Sequence, residues 1–260
     1  PTMIKLRDEI QATRPYSTRI GVGGGLGTPE AVMGAFAMAA AYVLSGAVNQ
    51  ACYEAGASVH TRRLLAQAEM ADVTMAPAAD MFEMGVQLQV LRRGTMFPMR
   101  AQKLYELYRR YDSIDEIPTE ERDKIEKQVF RQPLTKIWEQ TEAFFLERDP
   151  QQVERAQNHP KRKMALIFRW YLGLSSRWSN IGEKGREADY QIWCGPAMGA
   201  FNAWTKDSYL VDPQQRSVVD VAEHLMRGAA YLSRLQLMSH MGVLVPNSLR
   251  TYKPSPLQRM

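Results

Sequence analysis

Five residues, Gly23-Gly24-Gly25-Leu26-Gly27, form the densest cluster with a chemical meaning in this chain. A side chain without Cβ lets Gly24 and Gly25 take positive φ and brings their amides close to an anion. A helix should start directly after them. Thr28 is placed as N-cap, Pro29 at the first helical position and Glu30 in the first turn. The positive end of that helix would add to a phosphate cradle. A second glycine turn, Ser45-Gly46-Ala47, follows a short apolar stretch, Tyr42–Leu44, and supplies further amide donors. Glycine turns also serve tight strand–helix packing alone, and that reading competes for either turn taken singly. The spacing departs from the G-x-G-x-x-G dinucleotide fingerprint, so the pattern favours a mononucleotide such as a flavin phosphate.

These turns need strands to hold them. Thr18–Val22 and Tyr42–Leu44 read as strands flanking a helix that runs to about Ala41, a parallel βαβ unit with a glycine turn at the end of each strand. After Gln50 no further strand is expected. Helices are read over Val59–Met70, Pro77–Met84, Pro98–Tyr111, Thr119–Phe130, Leu134–Glu147, Pro150–Gln157, Arg162–Trp178, Tyr190–Trp204 and Gln214–Met241. A short amphipathic piece, Leu6–Pro15, precedes the first strand. Two parallel strands leave both edges and both faces open, so the pattern predicts the last two strands of a (β/α)8 TIM barrel followed by a helical domain, an α/β then mostly α chain. The expected division is 1–58 for the barrel part, 59–245 for a helical substrate, lid or docking region, and 246–260 for an extended, loosely held tail.

Composition bounds the alternatives. At 45% hydrophobic and 23% charged, the 260 residues can bury a sizeable core. No apolar run is long enough to span a membrane. A chain that starts at Pro1 and carries no leader pattern reads as a cytoplasmic piece of something longer, with Cys52 and Cys194 reduced. The net charge of +5 falls after residue 60 and lacks the basic stripe with interleaved aromatics that nucleic acid requires, which leaves an acidic protein partner or a solvated surface.

Longer blocks carry a family resemblance: GGGLGTPEA (Gly23–Ala31), SGAVNQAC (Ser45–Cys52), MAPAADMFEMGVQLQVLRRGTMFPMRAQKLYELY (Met75–Tyr108), KMALIFRWYLGLSSRW (Lys163–Trp178) and DYQIWCGPAMGAFN (Asp189–Asn202). The chain resembles the PfaD-type enoyl reductases of polyunsaturated fatty acid and polyketide synthases, which are similar to nitronate monooxygenases. The resemblance implies an FMN-binding barrel, NADPH as hydride donor, and an enoyl thioester on an acyl carrier protein as substrate, with a homodimer as an expected assembly. By motif, Gly24, Gly25, Leu26, Ser45, Gly46 and Ala47 would hold the FMN phosphate, with Ala47 where the family pattern leads one to expect a serine or threonine. Catalytic residues would lie upstream, and this piece alone would be inactive. A nitronate-monooxygenase-like flavin oxidase and a non-catalytic carrier-protein docking module are the rival readings.

Other candidates stand against plainer explanations. Arg92, Arg93 and Arg100 flank the apolar stretch Thr95–Met99 and would meet a phosphopantetheine phosphate at an acyl channel, against core packing with solvated charges. His60, His159, His224 and His240 are proton-donor candidates, each with an ordinary loop or helix position as the simpler account. No histidine pair has metal-ligand spacing with a third ligand. Cys194 fits a small apolar core residue better than a nucleophile. Asp80 and Glu83 share a face if Pro77–Met84 is helical, and read as helix N-terminal charges. Phe168, Trp170, Tyr171 and Trp178 read as core aromatics.

Overall fold

The computed structural model describes residues 1–257. In chain order its main elements are α1 (Thr2–Gln11), β1 (Val22–Gly23), α2 (Pro29–Ala37), β2 (Val43–Leu44), α3 (Val59–Ala66), β3 (Val73–Pro77) and β4 (Gln87–Leu91). Helices α4 (Phe97–Arg110), α5 (Thr119–Ile125), α6 (Leu134–Arg148), α7 (Pro150–Gln157), α8 (Pro160–Ile181), α9 (Pro196–Thr205) and α10 (Val218–His240) complete it. The chain divides into two compact units, one of Pro1–Asp72 with Cys194 onward, the other of Val73–Trp193. This division does not follow the expected boundaries at 58 and 245.

In the first unit β1 and β2 pair in parallel, Val22 opposite Val43 and Gly23 opposite Leu44. The Thr28 hydroxyl caps α2 by accepting from the Ala31 amide at 3.4 Å, and Pro29 opens the helix. Val32 is buried in a cluster with Phe201, Val221 and Leu225 of α9 and α10. Ser217 caps α10, and the Glu54 carboxylate accepts from the Ser217 hydroxyl at 3.0 Å and from the Val218 amide. An acid at a helix N-terminus opposes the dipole favourably, so this contact ties the segment after β2 to α10. Asn202 on α9 donates to the carbonyls of Leu65 and Ala68, both at 2.8 Å, where α3 ends.

The C-terminal segment differs from the loosely held tail that its prolines predict. The Tyr252 carbonyl accepts from the Trp204 indole at 3.0 Å, and its hydroxyl lies 2.8 Å from Nδ1 of the fully buried His224. On the other side of that ring, Nε2 lies 3.0 Å from the Tyr209 hydroxyl. Burial holds the imidazole below the ordinary histidine value. His224 is therefore a buried fastener of the chain end. The last three residues of the expected tail lie outside the described residues.

The second unit corrects the reading of an all-helical remainder. β3 and β4 form an antiparallel pair in register from Val73 opposite Leu91 to Pro77 opposite Gln87. Leu91 donates to the Ile192 carbonyl at 2.8 Å, and Val90 bridges Trp193. The expected helix over Pro77–Met84 is instead the end of β3 followed by one short turn, Phe82–Met84, closed by Gly85 at φ 72°. Asp80 and Glu83 consequently share no helical face. Pro118 and Pro133 sit just before α5 and α6, and proline opens α7 and α8. The core is aromatic: Phe82, Phe97, Phe168 and Tyr171 are essentially inaccessible and pack with Leu104 and Ile137. Fully burying such side chains contributes about 1.5–3 kcal/mol each.

Candidate functional site

Gly24 and Gly25 both adopt positive φ, 89° and 71°, and both are exposed, with open space where a Cβ would point. Leu26 is buried with Ala35 and Ala40. Gly27 is a packing residue, because a Cβ there would come within 2.2 Å of the Ala197 carbonyl oxygen. The second turn is exposed at Gly46, and Ala47 begins a short 3-10 turn, Ala47–Ala51. The Ser45 hydroxyl donates to the Asn49 side chain at 3.4 Å, and that amide donates back to the Ser45 carbonyl at 3.0 Å. The two glycine turns thus end two paired parallel strands, but Leu26 and Gly27 serve packing.

The three arginines singled out from the sequence separate. Arg92 and Arg93 are exposed at the end of β4. Arg100 belongs to α4, whose start absorbs the apolar stretch expected as a channel lining, with Phe97 and Pro98 buried. Its guanidinium pairs with Asp189, a carboxylate of zero exposure. Asp189 also receives Arg186 at 3.0 Å, Arg131 at 3.2 Å and the Tyr171 hydroxyl at 2.8 Å. Burial, and then the Asp189 charge, push the Tyr171 hydroxyl up, which keeps it a donor. Arg131 follows a one-turn π-helix, Glu126–Phe130, and sits at φ 58°, a costly conformation for a side chain of this size. Arg186 donates to the Val129 and Phe130 carbonyls at the same turn. Arg100 is therefore committed to a buried ion cluster. Nothing local in the sequence announced it, because its members come from four separate segments.

Both free thiols, Cys52 and Cys194, are buried. Burial pushes Cys52 up to about 12 and Cys194 up to about 11, so the thiolate is scarce at neutral pH. His60 and His159 are exposed, His60 on α3, and His240 ends α10 exposed. Among the described residues no cluster of three or more histidine, cysteine or acidic side chains is placed to hold a metal ion. No helix among them is long and apolar enough to cross a membrane.

Two openings occur in the second unit. One of about 600 Å3 lies beside α5, α6 and α8, where Trp138 and Ile167 meet Arg122 and Lys163. The Lys163 ammonium stands 4.7 Å over the Trp138 ring. Glu126, at its edge, is occupied in accepting from the Leu134 amide at 2.7 Å. The other, about 540 Å3, lies further along α6 and α8, past Phe144, Phe145 and Trp170. Both fall within the usual range for small-molecule sites.

Residues 111–190, which carry both aromatic linings, match a family model described as "[Acyl-carrier-protein] S-malonyltransferase, inserted helical domain". The chain is 46% identical over 247 residues to a polyunsaturated fatty acid synthase component of a Thraustochytrium species, covering 92% of this chain and 16% of that protein. It is 42% identical over 241 residues to polyketide biosynthesis protein PksE of Bacillus subtilis, covering 92% and 31%. Among solved structures it resembles the enoyl reductase domain of MlnA from the macrolactin biosynthesis cluster of Bacillus amyloliquefaciens. The TM-score is 0.85 at 35% identity, covering 92% of this chain and 55% of that one. The chain spans less than a third of the length of these curated relatives.

These matches correct the assignment to PfaD-type enoyl reductases. The matching family model belongs to an acyltransferase, and the curated relatives are named as components of fatty acid synthases and as polyketide biosynthesis proteins, not as reductases. They support neither an oxidoreductase nor FMN and NADPH as cofactors. The reductase-titled structure is matched over little more than half its length and does not carry that assignment. The curated relatives are proteins named for fatty acid and polyketide synthesis, and the family model over residues 111–190 describes the helical insert of an acyltransferase.

Proposed function

We propose that this chain is a carrier-protein-binding part of a fatty acid or polyketide synthase that works in acyl transfer, with the helical unit Val73–Trp193 receiving the acyl carrier protein. The observation that carries the reading is the match of residues 111–190 to the helical insert of an enzyme named for the carrier protein it acts on. Relatives named for fatty acid and polyketide synthesis agree with it. Cys52 and Cys194 are not assigned to the transfer step, since both are buried and burial raises both thiols. The parallel pair β1–β2, with a glycine turn after each strand, is read as the last two strands of a (β/α)8 barrel.

Arg92, Arg93, Arg148 and Arg177 are exposed cations on this unit and suit an acidic partner. Fluorescence anisotropy of a labelled carrier protein from the same synthase, titrated with the 260-residue chain, checks the reading. Saturable binding that weakens several-fold as ionic strength rises is expected. Absence of saturable binding at low salt would contradict it.

A further inference from the structure

The groove of about 540 Å3 on the second unit combines three features that one ligand type would satisfy together. Its floor is apolar: Phe144 of α6 packs edge-on against Trp170 of α8, ring centres 5.2 Å apart, with Leu174 one turn further along. Its rim is cationic. Arg148 lies over the Phe144 ring at 4.3 Å, and Arg177 is exposed two turns along α8 from Arg169. Arg169 is held in place, donating to the Ala79 carbonyl at 2.8 Å and facing Glu83 at 3.4 Å. Asp80 is the opposing charge in the lining, and its carboxylate accepts from the Met81 amide at 3.1 Å. The third feature is the Trp170 indole N–H, which is buried and meets no acceptor among the described residues. An unpaired buried donor is costly, and ligands that bring an acceptor relieve it.

Resting on the carrier-binding reading, we propose that this groove binds the phosphopantetheine arm of the carrier protein. The arm carries an anionic phosphodiester, two amides and an apolar body along one flexible chain. The phosphodiester suits Arg148 and Arg177, whose planar guanidinium groups pair with phosphate oxygens. An amide carbonyl gives the Trp170 N–H its acceptor, and the dimethyl group and acyl carbons cover Phe144 and Leu174. A fatty acid satisfies the floor and the rim but brings no amide.

Gly173 provides a clean blocking variant. It is exposed in the middle of α8, lines the groove, and has open space where a side chain would grow. Gly173→Leu fills the groove while favouring the helix. Phosphopantetheine itself is the probe, titrated into the full 260-residue chain by calorimetry, with the Trp170 indole proton followed by NMR. Saturable binding with a shift of that indole signal is expected. Gly173→Leu should abolish both with an unchanged melting temperature, and Arg148→Gln with Arg177→Gln should weaken binding on the order of tenfold. Undiminished binding by Gly173→Leu overturns the proposal, as does laurate binding where phosphopantetheine does not. Holo carrier should bind more tightly than apo carrier. Equal binding of the two would reject the arm site and leave the carrier reading standing. Binding of neither would reject the carrier reading, and the phosphopantetheine titration then decides the groove alone.

Discussion

Asp189→Asn is expected to destabilise the second unit by about 3–5 kcal/mol, the range for breaking a buried ion pair by removing one partner. The carboxylate has zero exposure and gathers Arg100, Arg131, Arg186 and the Tyr171 hydroxyl. Asparagine keeps the shape and the Tyr171 contact but leaves the guanidinium groups of Arg100 and Arg186, only 15% and 14% exposed, without a counter-charge. The strained backbone at Arg131 and the π-turn before it depend on the same anchor. Against a domain stability of about 5–15 kcal/mol, that loss is large. Scanning calorimetry should show the melting temperature falling by about 10 °C. Asp112→Asn, which removes the exposed pair with Lys161, should cost within about 1 kcal/mol. A shift for Asp189→Asn as small as that of Asp112→Asn would show the cluster to be dispensable.

Gly27→Ala is expected to be the most damaging single change in the glycine loop. The added Cβ would meet the Ala197 carbonyl oxygen at 2.2 Å and its carbon at 2.9 Å. These are backbone atoms in the first turn of α9, and they have no rotamer to escape into, so a loss of about 3 kcal/mol follows from overpacking. At Gly25 the penalty comes from φ 71° alone, with nothing within 4 Å of the new atom, and amounts to about 1 kcal/mol. Urea unfolding of the two variants measures the order directly. A Gly25 variant weaker than the Gly27 variant would mean that backbone strain, not the close approach of α9, dominates this loop.

What was legible in the sequence follows the range of the forces involved. Helix starts were readable because prolines and caps act within one turn: Pro29, Pro98, Pro150 and the Thr28 cap lie at observed helix starts. The pair β3–β4 was not. Gln87–Leu91 alternates over only five residues, and its partner Val73–Pro77 ends in a proline that reads as a helix start. Tertiary pairing decided that stretch. The arginines divide in the same way. The commitment of Arg100 to Asp189, 89 residues away, has no local signature. Arg169, Gly173 and Arg177 recur every fourth residue on one face of α8, but only the aromatic residues of that helix were singled out from the sequence. The loop GGGLG read as a phosphate cradle because glycine permits both anion approach and close packing. Only the position of Ala197 shows that Gly27 serves the second.

Amide hydrogen exchange of the 260-residue chain, with and without saturating holo carrier protein, tests the central claim most directly. Carrier binding should slow exchange within Val73–Trp193, most at the end of α6 and along the Arg169–Arg177 stretch of α8. Protection confined to Pro1–Asp72, or none anywhere at saturation, would contradict it.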